Sequence, residues 1–121
     1  MADSISKYKV AVASTDGENV NQHYGRCEKF YIYSVDDEVG YDLTEERIVK
    51  PVCQDGSHNK EAMAESVKAF LDCRYIIVSR LGSAAASLLA SNKITVMELP
   101  GSIDDAILSV WKFNRIQGLF S

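Results

Sequence analysis

The stretch Arg74-Tyr-Ile-Ile-Val-Ser79 constrains the fold of this chain more than any other. Tyr75 to Val78 offer no polar face, so a strand made from them is buried on both sides, as happens inside a parallel sheet covered by helices. The flanking segments read as those helices. From Asn59 onward, Ala62, Met63, Val67, Phe70 and Leu71 recur at a helical period, with Lys60, Glu61, Glu65 and Lys68 on the remaining faces and Ser57 or Asn59 as candidate caps. Downstream, Gly82 opens an Ala- and Leu-rich segment, Ser83 to Ser91, that is helical by propensity. Ile94 to Glu98 follows as a strand and Pro100-Gly101 as a turn. Ser102-Ile-Asp-Asp105 starts a last helix with an N-cap serine and early acids that suit the helix dipole.

The first half of the chain has a different rhythm. Tyr8 to Ser14 alternates as a strand, and Thr15-Asp16-Gly17-Glu18-Asn19 stops it. A loop runs to about Cys27. Glu28 to Val35 is aromatic and β-branched, Asp36 to Gly40 breaks it, and Tyr41 to Val52 is a third, more polar strand. The short breaks favour an antiparallel meander, giving the order βββαβαβα in a single α/β domain spanning 1–121. Right-handed crossovers make strands four and five parallel to strand one, and the meander makes strand three parallel to it as well. Their carboxyl ends then share one edge of the sheet, the usual ligand edge of open α/β sheets, and loops 15–27, 52–58, 79–83 and 99–102 converge there.

Charge and composition narrow the partners. Thirteen Lys and Arg against seventeen Asp and Glu leave a net charge of −4, which disfavours nucleic acid. Met1 to Lys9 holds no secretory h-region and no apolar run reaches membrane-spanning length, so the expectation is a cytoplasmic protein with no membrane partner. Three cysteines, an odd number without a CxxC pair, do not make a disulfide framework and read as reduced thiols.

Both histidines and two of the cysteines fall in the first two edge loops. His23 and Cys27 lie in Asn-Gln-His-Tyr-Gly-Arg-Cys, and Cys53 and His58 in Cys-Gln-Asp-Gly-Ser-His. Imidazole and thiolate are the donors preferred by zinc, copper and iron–sulfur species, which makes these four the candidate metal ligands. Neither spacing is diagnostic, and the plainer reading is two loop histidines and two ordinary thiols. A Cys/His hydrolase built on Cys27 and His23, with Asp16 or Asp55 orienting the imidazole, is disfavoured because no nucleophile signature surrounds Cys27. Cys73 precedes the fourth strand, at the far edge, and reads as a buried apolar residue. Ser79-Arg80-Leu81-Gly82-Ser83 joins a strand to a helix whose free N–H groups could hold an anion, with Arg80 adding charge, although a plain turn explains the segment equally well. Tyr24, Phe30, Tyr31, Tyr33 and Trp111 read as packing residues. The acids at 36–38, 45–46 and 104–105 read as solvated surface.

Taken together these segments resemble the family that handles the iron–molybdenum cofactor of nitrogenase, typified by NifX, NifY and the C-terminal domain of NifB. The resemblance covers roughly Lys9 to Leu108. It rests on Val10-Ala-Val-Ala-Ser-Thr-Asp-Gly17, Val20-Asn-Gln-His-Tyr-Gly-Arg26 and Phe30-Tyr-Ile-Tyr33, with Leu71 to Gly82 and Pro100 to Ala106 as later landmarks. It implies a ribonuclease-H-like fold and a non-enzymatic carrier of an iron–sulfur or iron–molybdenum type cluster, or its precursor, working with cofactor-assembly or acceptor proteins. His23 matches the family's loop histidine. Cys27 stands where a small residue is common and Tyr24 where phenylalanine is usual. Cluster binding carries over to His23 as principal ligand, while Cys27, Cys53 and His58 are candidate partners on position and chemistry alone, with Arg26, Arg80 and Gly82 beside an anionic cargo. The rival reading is a zinc-binding or redox-responsive module using the same His and Cys residues. Nuclease chemistry, which the fold might suggest, needs carboxylates on the first strand, and Val10-Ala-Val-Ala-Ser14 has none.

Overall fold

The computed structural model describes residues 7–26, 28–49 and 60–120. Strands β1 (Lys7–Ala13), β3 (Lys29–Asp36) and β4 (Gly40–Ile48) form the meander, while β5 (Tyr75–Val78) and β6 (Thr95–Glu98) alternate with helices α1 (Lys60–Lys68), α2 (Ser83–Ser91) and α3 (Ile103–Phe120). The five strands make one mixed sheet in the order β4-β3-β1-β5-β6. β1 pairs antiparallel with β3 and parallel with β5, and β5 pairs parallel with β6, so the expected α/β order and strand directions hold. Two short strands, β2 (Asn19–Val20) and β7 (Gly101–Ser102), form a separate antiparallel ribbon.

Alternation sorts the strand residues into two cores. Ala11, Ala13, Phe30, Ile32, Ile76 and Val78 pack with Val67 and Phe70 near α1 and with Ala85 and Leu89 of α2. On the other face Val10, Val12, Tyr31, Tyr33, Val35, Tyr75 and Ile77 pack with Ile103, Ala106, Ile107 and Val110 of α3. The unbroken apolar run of β5 is thereby explained, since every one of its residues is buried in one core or the other. Each large side chain so placed contributes about 1.5–3 kcal/mol of transfer free energy. The aromatic residues Tyr24, Phe30, Tyr31 and Tyr33 are packed, as the sequence predicts.

Several expectations are corrected. Leu71 is 59% exposed, because α1 ends at Lys68 and the following turn carries Phe70 inward and Leu71 out. Pro100-Gly101 is more than a turn: Gly101, at φ 123°, begins β7 and pairs with Val20. Strand β4 stops at Ile48 rather than Val52, and Ser57 and Asn59, the candidate caps of α1, lie outside the described residues. The Ser102 cap is present, its hydroxyl accepting the Asp105 N–H at 3.1 Å.

Some of the acids read as solvated surface hold the molecule together. Asp37 accepts from the Tyr8 hydroxyl at 3.0 Å and from Asn114 Nδ2 at 3.1 Å, while its carbonyl accepts from Trp111 Nε1 at 3.1 Å. One turn residue therefore ties β1 and the β3–β4 hairpin to α3. Glu45 and Asp72 grip the Arg47 guanidinium, with Asp72 bidentate at 2.9 and 3.0 Å, and the Tyr41 hydroxyl donates to Asp104. Among the described residues no helix is long and apolar enough to cross a membrane.

Candidate functional site

The loop after β1 is laced by its own side chains. Asp16 Oδ1 accepts from the Glu18 N–H at 2.8 Å, the Asn19 N–H at 2.9 Å and the Ser14 hydroxyl at 3.1 Å, and Oδ2 accepts from Asn19 Nδ2 at 3.3 Å. These donors, the two backbone N–H groups foremost, pull the Asp16 carboxyl down to about 2. Gly17 turns the chain at φ 75°, where a Cβ would press on the Tyr31 ring at 3.2 Å. Asn21 then bridges back, accepting from the Thr15 N–H at 3.0 Å and donating to Thr15 Oγ1 at 2.9 Å. With both carboxylate oxygens spent on Ser14, Glu18 and Asn19, Asp16 is a loop brace and does not orient His23.

From Asn21 the chain runs alongside the end of β5. The Ser79 N–H donates to the Gln22 carbonyl at 3.0 Å, and the Tyr24 N–H to the Arg80 carbonyl at 3.1 Å. His23 and Arg80 are thus paired in a parallel bridge at the carboxyl edge of the sheet. Both residues are exposed. Tyr24, next in sequence, turns inward against Phe30 and Phe70 and shares a 2.8 Å hydrogen bond with the Ser66 hydroxyl, so one residue anchors the loop and its neighbour is presented to solvent. The Arg80 segment is fixed from its other side as well: the Leu81 N–H donates to Glu98 Oε2 at 2.7 Å, and the Leu99 N–H to the Val78 carbonyl at 2.9 Å. Gly82 is the N-cap of α2 and supplies no side-chain cap, and nothing lies within 4 Å of where a Cβ would stand. Gly82 leaves the first N–H groups of α2, which begins three residues after Arg80, without a side-chain cap from the N-cap position.

His23, Arg80 and Gly82 are therefore drawn together at the expected edge. Arg26 closes a 3-10 turn, Tyr24–Arg26, two residues beyond the paired segment. Cys27, Cys53 and His58 lie outside the described residues. Among the described residues no three His, Cys, Asp or Glu side chains group as a metal site, and of the four candidate ligands those residues include His23 alone. Cys73 is buried at the amino end of β5, and burial pushes its thiol up to about 12. Sequence reasoning missed Glu98 and the bracing roles of Asp16 and Asn21. The Asp-Gly-x-Asn run carried a signal for Asp16, since aspartate in a turn commonly binds backbone N–H groups two and three residues on. Glu98 gave none, its partner being remote in sequence.

The described residues thus form an open mixed α/β sheet with an exposed histidine and arginine at the carboxyl edge of its parallel strands. The chain belongs to the dinitrogenase iron-molybdenum cofactor family, whose model matches residues 6–112. It is 30% identical over 110 residues to the FeMo cofactor biosynthesis protein NifB of Chlorobaculum tepidum, covering 91% of this chain and 25% of that protein. It is 30% identical over 95 residues to protein NifY of Klebsiella pneumoniae, covering 76% of this chain and 38% of that one. The chain thus spans about a quarter of the length of the NifB relative. A Thermotoga protein with a provisional NifB label, solved by NMR, shares the fold at a TM-score of 0.59 and 22% identity, covering 87% of this chain and 88% of that one.

Proposed function

We propose that this chain is a non-enzymatic carrier that holds an iron–sulfur or iron–molybdenum type cluster, or its precursor, as cargo for metallocofactor assembly, on a ribonuclease-H-like sheet. The observation that carries the reading is the pairing of His23 with Arg80 at the exposed carboxyl edge. An imidazole can take one iron position while the cluster's own sulfides fill the others, and the nearby guanidinium offsets an anionic cargo in a chain of net charge −4. The amino end of α2 adds a second source of positive potential. Cys27, Cys53 and His58 remain proposed partners of His23 and Arg26 a further positive group. Membership of a cofactor-biosynthesis family favours assembly or acceptor proteins as the partners, with the cytoplasm as the place of work. The exposure of His23 and Arg80 suits a protein that must hand its load on.

Anaerobic titration with cluster, followed by visible absorption, tests this. His23→Ala should weaken binding by about tenfold or more, the worth of one metal ligand or its orienting shell, without changing the melting temperature. Unchanged affinity would remove His23 from the site. Elemental analysis and thermal unfolding before and after chelation address the rival: stoichiometric zinc whose removal unfolds the chain would defeat the carrier and install a structural zinc module.

A further inference from the structure

Helix α3 buries Ile103, Ala106, Ile107 and Val110 and leaves a second stripe facing solvent. That stripe reads Asp104, Asp105, Leu108, Lys112, Arg115 and Ile116, all exposed, with Leu108 at 47% and Ile116 at 52%. Its order is the telling part, for both acids come at the amino end, both bases at the carboxyl end, and an apolar residue accompanies each pair. A helix face charged in this way is complementary to itself when turned end for end. Next to it is a cavity of about 280 Å³ between the β3–β4 hairpin and α3, with Val39, Tyr41, Leu108 and Trp111 in its walls and Glu38 at its edge. Val39, at 86% exposed, leaves the mouth of that cavity apolar.

We propose that this stripe is the interface of a two-fold dimer in which α3 packs antiparallel against α3 of a second copy. At 1.5 Å rise per residue, Asp105 and Arg115 are about 15 Å apart, so a two-fold axis midway between them, level with Val110, sets the partner's Arg115 beside Asp105 and this copy's Arg115 beside the partner's Asp105. The same arrangement lays the partner's Lys112 stem over Leu108 and the cavity it borders. Symmetry makes every such contact twice, once in each direction, which is how a modest surface yields a stable pair. None of these residues belongs to segments 21–24 or 79–82, so the His23–Arg80 pair stays open in both copies, and the dimer stands whether or not the cargo reading does.

Sedimentation equilibrium over micromolar to millimolar concentrations tests the proposal. The wild-type chain should dimerise, less tightly as salt is raised. Asp105→Arg and Arg115→Asp should each weaken the dimer by about tenfold or more, since one reversal turns two attractive contacts into repulsions. Mixing the two variants in equal amounts should restore association as a heterodimer, because one copy then carries positive charge at both positions and the other negative charge at both, so that each of the two contacts is attractive again. A folding defect in either variant would not be rescued by mixing, and circular dichroism checks each alone. A chain that stays monomeric to millimolar concentration, or a dimer indifferent to both reversals, overturns the proposal.

Discussion

Asp16 shows how much a single loop carboxylate can organise. Four donors converge on it, and the loop that carries His23 starts from the turn they enforce. Its carboxyl sits at about 2 in the folded chain against an ordinary value of 3.8. A depressed folded pKa stabilises above the unfolded value and is lost as pH falls through the folded one, so the contribution of Asp16 fades between about pH 4 and pH 2. Asp16→Asn keeps an acceptor but cannot titrate. Urea midpoints for the wild type should therefore fall more steeply across that window than those of the variant, and parallel curves would show that Asp16 is not linked to folding. At this scale the sequence was informative about His23 and Arg80, whose chemistry is intrinsic to their side chains. It was silent about Glu98, whose importance lies wholly in the Leu81 N–H that the fold brings to it.

Among the elements, the β2–β7 ribbon is the least anticipated. Two residues on each side leave no periodic pattern to read, and Pro100-Gly101 has the composition of an ordinary turn. The positive φ of Gly101 is the physical reason for glycine there, since an L side chain is strained in that region even with open space around it. Gly101→Ala should cost about 1–3 kcal/mol in a chemical denaturation experiment and speed hydrogen exchange at Val20, Gly101 and Ile103, whose N–H donates to the Glu18 carbonyl. A neutral substitution would mean that the ribbon adapts without strain. The longer elements were legible because burial enforces their patterns: β5 lies in both cores and reads as continuous, whereas β4 lies at the edge and reads as polar. Leu71 was misassigned because periodicity does not register that a helix has ended.

At the scale of the whole molecule, the sheet has two chemically unequal edges. Cys73 lies at the amino end of β5, and the His23–Arg80 pair lies beyond its carboxyl end. Cys73→Ala should consequently lower stability by about 1 kcal/mol, for the loss of a buried group of methylene size, and leave cluster titration unchanged. Loss of binding at unchanged melting temperature would contradict the strand directions. The right-handed crossover rule made this polarity readable in advance, because it fixes β5 parallel to β1 once a helix is placed between them. The three remaining ligand candidates, Cys27, Cys53 and His58, lie beyond what the described residues address.

The pairing of Gln22 to Tyr24 with Ser79 and Arg80 also bears on how the protein is made. Strands β1, β3 and β4 are neighbours in sequence and can associate before β5 has emerged from the ribosome. The other flank of β1 stays unpaired until β5 emerges, and β5 gains its second neighbour only with β6, because non-local parallel pairing has to wait for the intervening crossover. A half-synthesised chain therefore carries His23 with nothing to set it against. Under the proposed carrier role, uptake of cargo is in this way withheld from nascent chains and arrives only when the far strands have closed the sheet.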